Sequence, residues 1–255
     1  MLKTLTEIAK KYPPDLVKEQ IEDIPRISFN IKLVLDSAKS KPVQELSICD
    51  LGGGIGLFSV GLAALGIKRT VLVDDFNDSV NNRFGDSILG LHRKFGVEAI
   101  ERDVIKDGIK DIKEKFDVIT SFNSMEHWHN SPKELLHEAV EKLNEGGALI
   151  IGVPNCVNLR KRLTVPFGFG KWSRMQDWYE EKKFRGHVRE PDIDDLLYIA
   201  RDLGLSSVKI YGRNWLGCSS KNQMTKFAAR AVDLPIRLFP SICSDIYLVG
   251  KIKNS

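Results

Sequence analysis

Short apolar runs alternate with amphipathic segments along most of the chain after residue 45. The runs are bounded by Gly, Asp, Asn or Pro, as buried strands usually are. Five of them cover residues 46–51, 70–75, 98–104, 116–122 and 147–154, and two more cover 207–214 and 245–252. Helix-like segments lie between them. This alternation predicts a doubly wound α/β fold with a mostly parallel, seven-stranded sheet covered on both faces.

Two stretches of the chain depart from this alternation. Residues 1–44 have the pattern of two helices separated by a Pro-containing turn, and residues 155–190 are rich in basic and aromatic side chains. We therefore expect an N-terminal helical segment (1–44) and an α/β domain (45–255) that carries a substrate-side insertion (155–190). A second helical layer with no binding role is the alternative for the insertion. Further helices are predicted near 192–204 and 222–238.

The composition adds little to this picture. Hydrophobic residues make up 42% of the 255 residues and charged residues 28%, which is ordinary for a globular protein. The net charge of +4 lacks the strong basic excess of a dedicated nucleic-acid-binding protein. The four cysteines form no C-x-x-C pair. No apolar run approaches the ~20 residues needed to span a bilayer. The first residues also lack the apolar run of a signal peptide. We expect a cytoplasmic protein with free thiols.

The sequence DLGGGIG (50–56) joins the first predicted strand to a helix. Glycines let the chain turn sharply and let a ligand approach the backbone, while the helix N-terminus offers unpaired N–H groups. A G-x-G-x-x-G dinucleotide fingerprint fails in each register. The glycines stand instead at Gly52, Gly54 and Gly56, behind Asp50. A carboxylate there would repel a pyrophosphate but suits an ammonium group and a sulfonium cation. This favours S-adenosylmethionine over NAD, with an NAD-linked oxidoreductase as an alternative.

This pattern resembles the acid-x-G-x-G-x-G motif of the class I S-adenosylmethionine-dependent methyltransferases, and the likeness extends over residues 45–155. The resemblance implies a Rossmann-like methyltransferase fold. It also implies that Asp74, at the end of the second strand, holds the ribose hydroxyls and that Asp103, after the third, lies near the adenine amino group. Glu126 and His127, after the fourth strand, would lie beneath the methionine moiety. The predicted cofactor-binding residues are Asp50, Gly52, Gly54, Gly56, Asp74 and Asp103.

Methyl transfer from a sulfonium is an in-line displacement, so the enzyme must first align the nucleophile with the methyl carbon. A hydroxyl nucleophile also needs a base that takes its proton. His127 is the first catalytic candidate and His129 the second, because both follow a strand at the edge where open α/β sheets bind ligands. His187 in the insertion is a third candidate, and a structural role is the alternative for each. Metal ligands could come from Glu126, His127 and His129, but no second cluster in the sequence completes the set. No metal is therefore predicted.

The insertion carries the main hint about the methyl acceptor. Between Cys156 and Arg189 nine Lys or Arg residues stand against three acids, interleaved with six Phe, Trp or Tyr residues. Basic side chains among aromatic rings suit an anionic substrate, a lipid-linked sugar phosphate or a membrane surface. A solvated lid with a few packed rings is the alternative.

We expect O-methylation of a small molecule or of a glycan or lipid-linked precursor. The second half of the chain, with Val153-Pro154-Asn155 after the fifth strand, is loosely similar to small-molecule, glycan-pathway and ubiquinone-type O-methyltransferases. No Asn/Asp-Pro-Pro-aromatic motif follows the fourth strand and Cys156 does not directly follow a proline, so nucleic acid is not the expected partner. The alternatives are an RNA or protein methyltransferase and a catalytically silent cofactor-binding partner subunit. Peripheral membrane contact and the oligomeric state are left open.

Overall fold

The structure, a computed structural model, describes most of the chain. The residues that it does not describe are 78, 171–172, 174, 181, 183, 216–223, 225–230, 232 and 254–255, and of residues 79–82 only the backbone is described. The predicted helical segment at 222–238 therefore lies largely outside the described residues.

A single seven-stranded sheet forms the centre of the molecule, as the apolar runs predict. Its strands are β1 (Ser47–Leu51), β2 (Arg69–Asp74), β3 (Val97–Glu101), β4 (Phe116–Phe122), β5 (Leu143–Pro154), β6 (Ser206–Arg213) and β7 (Asp245–Lys251). Their spatial order is β3-β2-β1-β4-β5-β7-β6. The first five strands pair in parallel, whereas β7 lies antiparallel between β5 and β6. The doubly wound, mostly parallel fold is confirmed.

Helices cover both faces of this sheet. They are α1 (Leu2–Ala9), α2 (Pro14–Ser37), α3 (Leu57–Ala64), α4 (Ser79–Lys94), α5 (Val104–Asp107), α6 (Lys133–Glu141), α7 (Leu159–Thr164), α8 (Met175–Tyr179) and α9 (Ile193–Asp202). Short 3-10 turns lie at Val43–Glu45, Met125–His127, Val165–Phe167 and Pro240–Ile242. No helix in the described ranges is both long and apolar enough to cross a membrane.

The strand side chains point alternately to two hydrophobic clusters, one on each face of the sheet. In β1, Ile48 joins the cluster beneath α1, α2 and α3, while Cys49 and Leu51 join the cluster beneath α6 and α9. Burying a side chain of this size contributes about 1.5–3 kcal/mol. The buried strands therefore form a rigid platform whose carboxyl ends open at one edge.

The N-terminal helices pack directly on the sheet domain. Leu5 and Ile31 belong to the same cluster as α3, and a Cβ added at Gly61 would lie 2.6 Å from Leu5 Cδ2. The hydroxyl of Tyr12 donates to the carbonyl of Ile55, directly behind the glycine loop, over 3.2 Å. These contacts place α2 beside the glycine loop. The division of the chain at residue 44 stays a prediction.

Candidate active site

A cavity of about 520 Å³ opens where the carboxyl ends of β1, β2 and β4 meet. Gly52, Gly54, Asp74 and Asp103 line one side of it. The turn after β4 lines the other side and includes both His127 and His129. A second depression of about 730 Å³, around Ser40, Gly146 and Lys251, holds none of the predicted site residues. Six of the eight predicted site residues therefore line the 520 Å³ cavity, and Asp50 and Gly56 do not.

The glycine loop of this cavity has a backbone that other residues adopt with difficulty. Gly52 and Gly54 have φ angles of +69° and +57°, in the left-handed region that favours glycine. A Cβ at Gly52 would lie 1.8 Å from Ser124 Oγ, so the β1 loop and the β4 turn meet only because this residue is glycine. At Gly54 a Cβ would meet no atom within 4 Å, because that position faces the cavity.

Asp50 lies behind this loop and does not line the cavity. It is 1% exposed, and its two carboxylate oxygens each accept a 2.8 Å hydrogen bond, one from Ser59 Oγ and one from Thr120 Oγ1. Burial raises the pKa of Asp50 to about 6, although these two hydrogen bonds oppose the shift. A Cβ at Gly53 would lie 2.0 Å from Asp50 Oδ2. Asp50 thus ties the loop to α3 and β4, while Gly56 begins α3 outside the cavity lining.

Two of the predicted carboxylates, those of Asp74 and Asp103, line the cavity. Asp74 Oδ2 accepts from the Gly54 amide over 2.9 Å, and Asp74 Oδ1 accepts from the Phe76 amide over 2.8 Å. Asp103 caps α5 by accepting from the amides of Ile105 and Lys106, and its Oδ2 lies 3.0 Å from Lys106 Nζ. Partial burial alone would raise the pKa of Asp103, but the hydrogen bonds from Lys106 and from the backbone lower it. The lowered pKa keeps Asp103 ionised at neutral pH.

The 3-10 turn after β4 brings histidines to the cavity wall. His127 Nδ1 lies 2.8 Å from the carbonyl oxygen of Arg185, in the insertion. Its ring meets that of His187 edge-on, with 4.9 Å between centroids. Burial and the nearby His187 lower the pKa of His127. His129 also lines the cavity and is exposed.

Glu126, next to these histidines, is fully buried. Within the described part of the chain, neither of its carboxylate oxygens has a hydrogen-bond partner. Burial raises the pKa of Glu126 to about 7. A buried carboxylate without partners is costly, because the charge loses its hydration and gains nothing in return. This residue is the least satisfied polar group of the site.

Three cavity residues escape the motif comparison. Arg26 reaches the cavity from α2, where it forms a bidentate pair with Asp23 over 2.7 Å. Asp75 and Arg185 also line it and face each other, with 3.6 Å between Oδ2 and Nη1. The basic excess of the insertion was a usable signal for Arg185, whereas no local pattern distinguishes Arg26.

A scan of protein families supplies the comparison that decides the family. Residues 20–210 match a family described as a methyltransferase domain. The chain belongs to this family. It is a class I S-adenosylmethionine-dependent methyltransferase, and S-adenosylmethionine is its cofactor. This settles the choice of cofactor against NAD. A search of curated proteins finds no significant match.

Solved structures with the same fold are also methyltransferases. A possible histamine N-methyltransferase from Thermotoga maritima is 18% identical with a TM-score of 0.54, and the match covers 97% of this chain and 99% of that one. An S-adenosylmethionine-dependent methyltransferase from Mesorhizobium loti is 16% identical with a TM-score of 0.54, over 91% and 98% of the two chains. Magnesium protoporphyrin IX methyltransferase from Synechocystis, with bound S-adenosylhomocysteine, is 13% identical with a TM-score of 0.54, over 98% and 92%. These identities support the fold and no particular acceptor.

Proposed function

We propose that this methyltransferase transfers its methyl group to an oxygen of a small molecule or of a glycan or lipid-linked precursor. The observation that carries the proposal is the pair of histidines, His127 and His129, at the wall of the cavity that the glycine loop opens. An oxygen acceptor must lose a proton as it attacks, and imidazole is the side chain suited to take it near pH 7.

The cofactor is proposed to lie along the glycine loop. Gly54 leaves room for the cofactor, because it has no Cβ on the side that faces the cavity, and Gly52 lets the loop approach Ser124 closely. Asp74 accepts from the ribose hydroxyls, because its two carboxylate oxygens can each accept more than one hydrogen bond. Asp103 is the proposed partner near the adenine. Asp50 keeps its predicted place in the cofactor motif but acts by fixing the loop.

Catalysis then depends chiefly on orientation. The sulfonium is already activated, and alignment of the nucleophile with the methyl carbon can lower the barrier by ~7–11 kcal/mol. The acceptor oxygen forms a bond to the methyl carbon while the carbon–sulfur bond breaks onto sulfur. The acceptor's proton passes to a histidine, for which the exposed His129 has direct access to solvent.

The insertion supports an amphiphilic, anionic acceptor. Phe167 and Phe169 are 78% and 69% exposed, which is unusual for rings of this size. They follow α7, whose sequence LRKRLT contains three basic residues. Exposed rings beside positive charges favour an acceptor that presents an acyl or prenyl chain together with an acidic headgroup. We propose that such an acceptor enters the site past Phe167, Phe169 and the basic residues of α7.

The direct test is transfer of labelled methyl from S-adenosylmethionine to fractionated pools of polar metabolites, glycans, lipids, RNA and protein. We expect label in the metabolite, glycan or lipid pool, in a linkage with the stability of a methyl ether or ester. His129→Asn is expected to slow transfer, whereas His137→Asn, at a surface histidine paired with Asp202, is not. Label confined to RNA or protein, or to a methylated nitrogen, would overturn the proposal.

A further inference from the structure

Three potential metal ligands converge behind the cavity wall. One ligand atom each from Glu126, His127 and His187 lies within 4.8 Å of the other two. The first two residues belong to the 3-10 turn after β4, and the third comes from the insertion. The amide of Val188 donates to the carbonyl of Glu126 over 2.7 Å, so the two segments are joined beside the cluster.

Hydrogen bonds orient both imidazole rings. His127 Nδ1 lies 2.8 Å from the carbonyl oxygen of Arg185, and His187 Nδ1 lies 2.6 Å from Glu190 Oε1. A carbonyl or a carboxylate can only accept, so each Nδ1 carries the proton. Each Nε2 then keeps the lone pair that a metal needs. Histidines that bind metals are held in this way by a carbonyl or carboxylate on the second nitrogen.

Glu126 supplies the second, independent observation. Its side chain is 0% exposed, and neither oxygen has a partner in the described part of the chain. The other nearby carboxylate, Glu190, is already occupied by His187 and by an ion pair with Lys161. A cation between Glu126 and the two rings would give the buried carboxylate the direct contacts that its oxygens lack among the described residues.

We propose that Glu126, His127 and His187 form a binding site for a divalent transition-metal cation. Two imidazoles and one carboxylate are the ligands that Zn²⁺ and its first-row neighbours accept, whereas Mg²⁺ and Ca²⁺ prefer oxygen ligands throughout. Three protein ligands also leave at least one coordination position for a substrate atom. The sequence comparison predicted no metal, because it considered His129 in the place of His187.

The site has a role in the proposed reaction, and this part of the inference rests on the proposed function. His127 also lines the cavity, so the cluster borders the space in which the acceptor is proposed to bind. A hydroxyl bound there loses its proton more readily, in the way that metal-bound water does. The proton passes to His129 or to solvent, the oxygen bonds to the methyl carbon, and the sulfur receives the electron pair of the broken bond. His127 acts as a ligand in this scheme and His129 takes the proton.

Metal binding is tested on the full chain, without any acceptor. Purified protein is stripped with chelator and titrated with Zn²⁺ by calorimetry and with Co²⁺ by visible absorption. We expect one equivalent of each metal, with Co²⁺ bands of a low-coordinate nitrogen–oxygen site. Glu126→Gln and His187→Asn are each expected to weaken binding at least ~100-fold, and His137→Asn should bind like the wild type. An unchanged far-ultraviolet circular dichroism spectrum and cooperative thermal unfolding show that each variant is folded.

Three results separate the metal site, its role and the proposed function. No stoichiometric binding of either metal, or equal binding by the wild type and both ligand variants, would overturn the site itself. Metal binding together with oxygen methylation that chelator leaves unchanged would overturn only the role in acceptor activation. Metal binding without methylation of any oxygen acceptor would support the site and count against the proposed function.

Discussion

The amide of Gly54 donates to Asp74 Oδ2 over 2.9 Å, which joins the glycine loop after β1 to the end of β2. The loop and the carboxylate that we assign to the ribose are thus parts of one hydrogen-bonded unit. Before the cofactor binds, this hydrogen bond already holds the glycine turn and the Asp74 carboxylate at a fixed separation.

Replacing Asp74 with alanine tests this unit. The variant loses charged hydrogen bonds to the ribose as well as the tie to Gly54, so we expect S-adenosylhomocysteine affinity to fall by about 1–3 kcal/mol. Calorimetric titration measures the change, and Asp36→Ala, at an exposed acid of α2, is the control. Equal affinity in the wild type and Asp74→Ala would remove Asp74 from the site.

A second prediction concerns the contact between Gly52 and Ser124. In Gly52→Ala the new Cβ would overlap Ser124 Oγ, and left-handed backbone costs a non-glycine residue roughly 1–2 kcal/mol. We expect a lower Tm and weaker S-adenosylhomocysteine binding than in Gly66→Ala, which also has a positive φ but meets no atom within 4 Å.

The double variant Gly52→Ala/Ser124→Gly separates the overlap from the backbone strain. It should recover part of the stability lost in Gly52→Ala, because the hydroxyl and the Cβ of Ser124, which overlap the new alanine Cβ, are both removed. If the double variant instead loses as much stability as the two single variants together, the side chains at positions 52 and 124 do not clash.

Asp50 should make stability depend on pH in mildly acidic solution. Burial raises its pKa to about 6 in the folded state, compared with about 3.9 for an unfolded aspartate. The folded state therefore keeps a proton that the unfolded chain releases, so stability falls as pH rises from about 3 to about 7 and is level above that. The difference corresponds to about 3 kcal/mol.

Urea unfolding of the wild type and Asp50→Asn at several pH values isolates this contribution. Relative to the variant, the wild type should lose about 3 kcal/mol between pH 3 and pH 7. Parallel stability curves for the two proteins across this range would contradict the assignment of a raised pKa to Asp50.

The exposed rings of the insertion predict attraction to anionic lipid. Phe167→Ser/Phe169→Ser should weaken sedimentation with vesicles that contain phosphatidylglycerol, because the rings no longer enter the acyl boundary. The matched control Tyr198→Ser changes a ring that is 65% exposed on α9, away from the insertion. Equal binding of the wild type and the double variant would locate any lipid attraction elsewhere.

The sheet was predictable because most of its strands contain short apolar runs, and all seven observed strands overlap the predicted runs. The positions of Gly52, Gly54 and Asp74 at one cavity were predictable for a related reason. Parallel strands end at the same edge of a sheet, so motifs that follow them meet there.

The orientation of Asp50 was not predictable from its spacing. Whether that carboxylate faces a ligand or the protein depends on Ser59, nine residues onward, and on Thr120, seventy residues away. His187 is a similar case, because it meets His127 only through the path of the insertion. Such contacts depend on tertiary packing and leave no periodic pattern in the sequence.

A crystal structure with S-adenosylhomocysteine tests directly whether the cofactor binds along the glycine loop. We expect the ligand to lie along Gly52 and Gly54, with its ribose hydroxyls within hydrogen-bonding distance of Asp74 and its sulfur on the side of His127. A saturated crystal in which this cavity is empty, or in which the ligand binds away from the glycine loop, would contradict it.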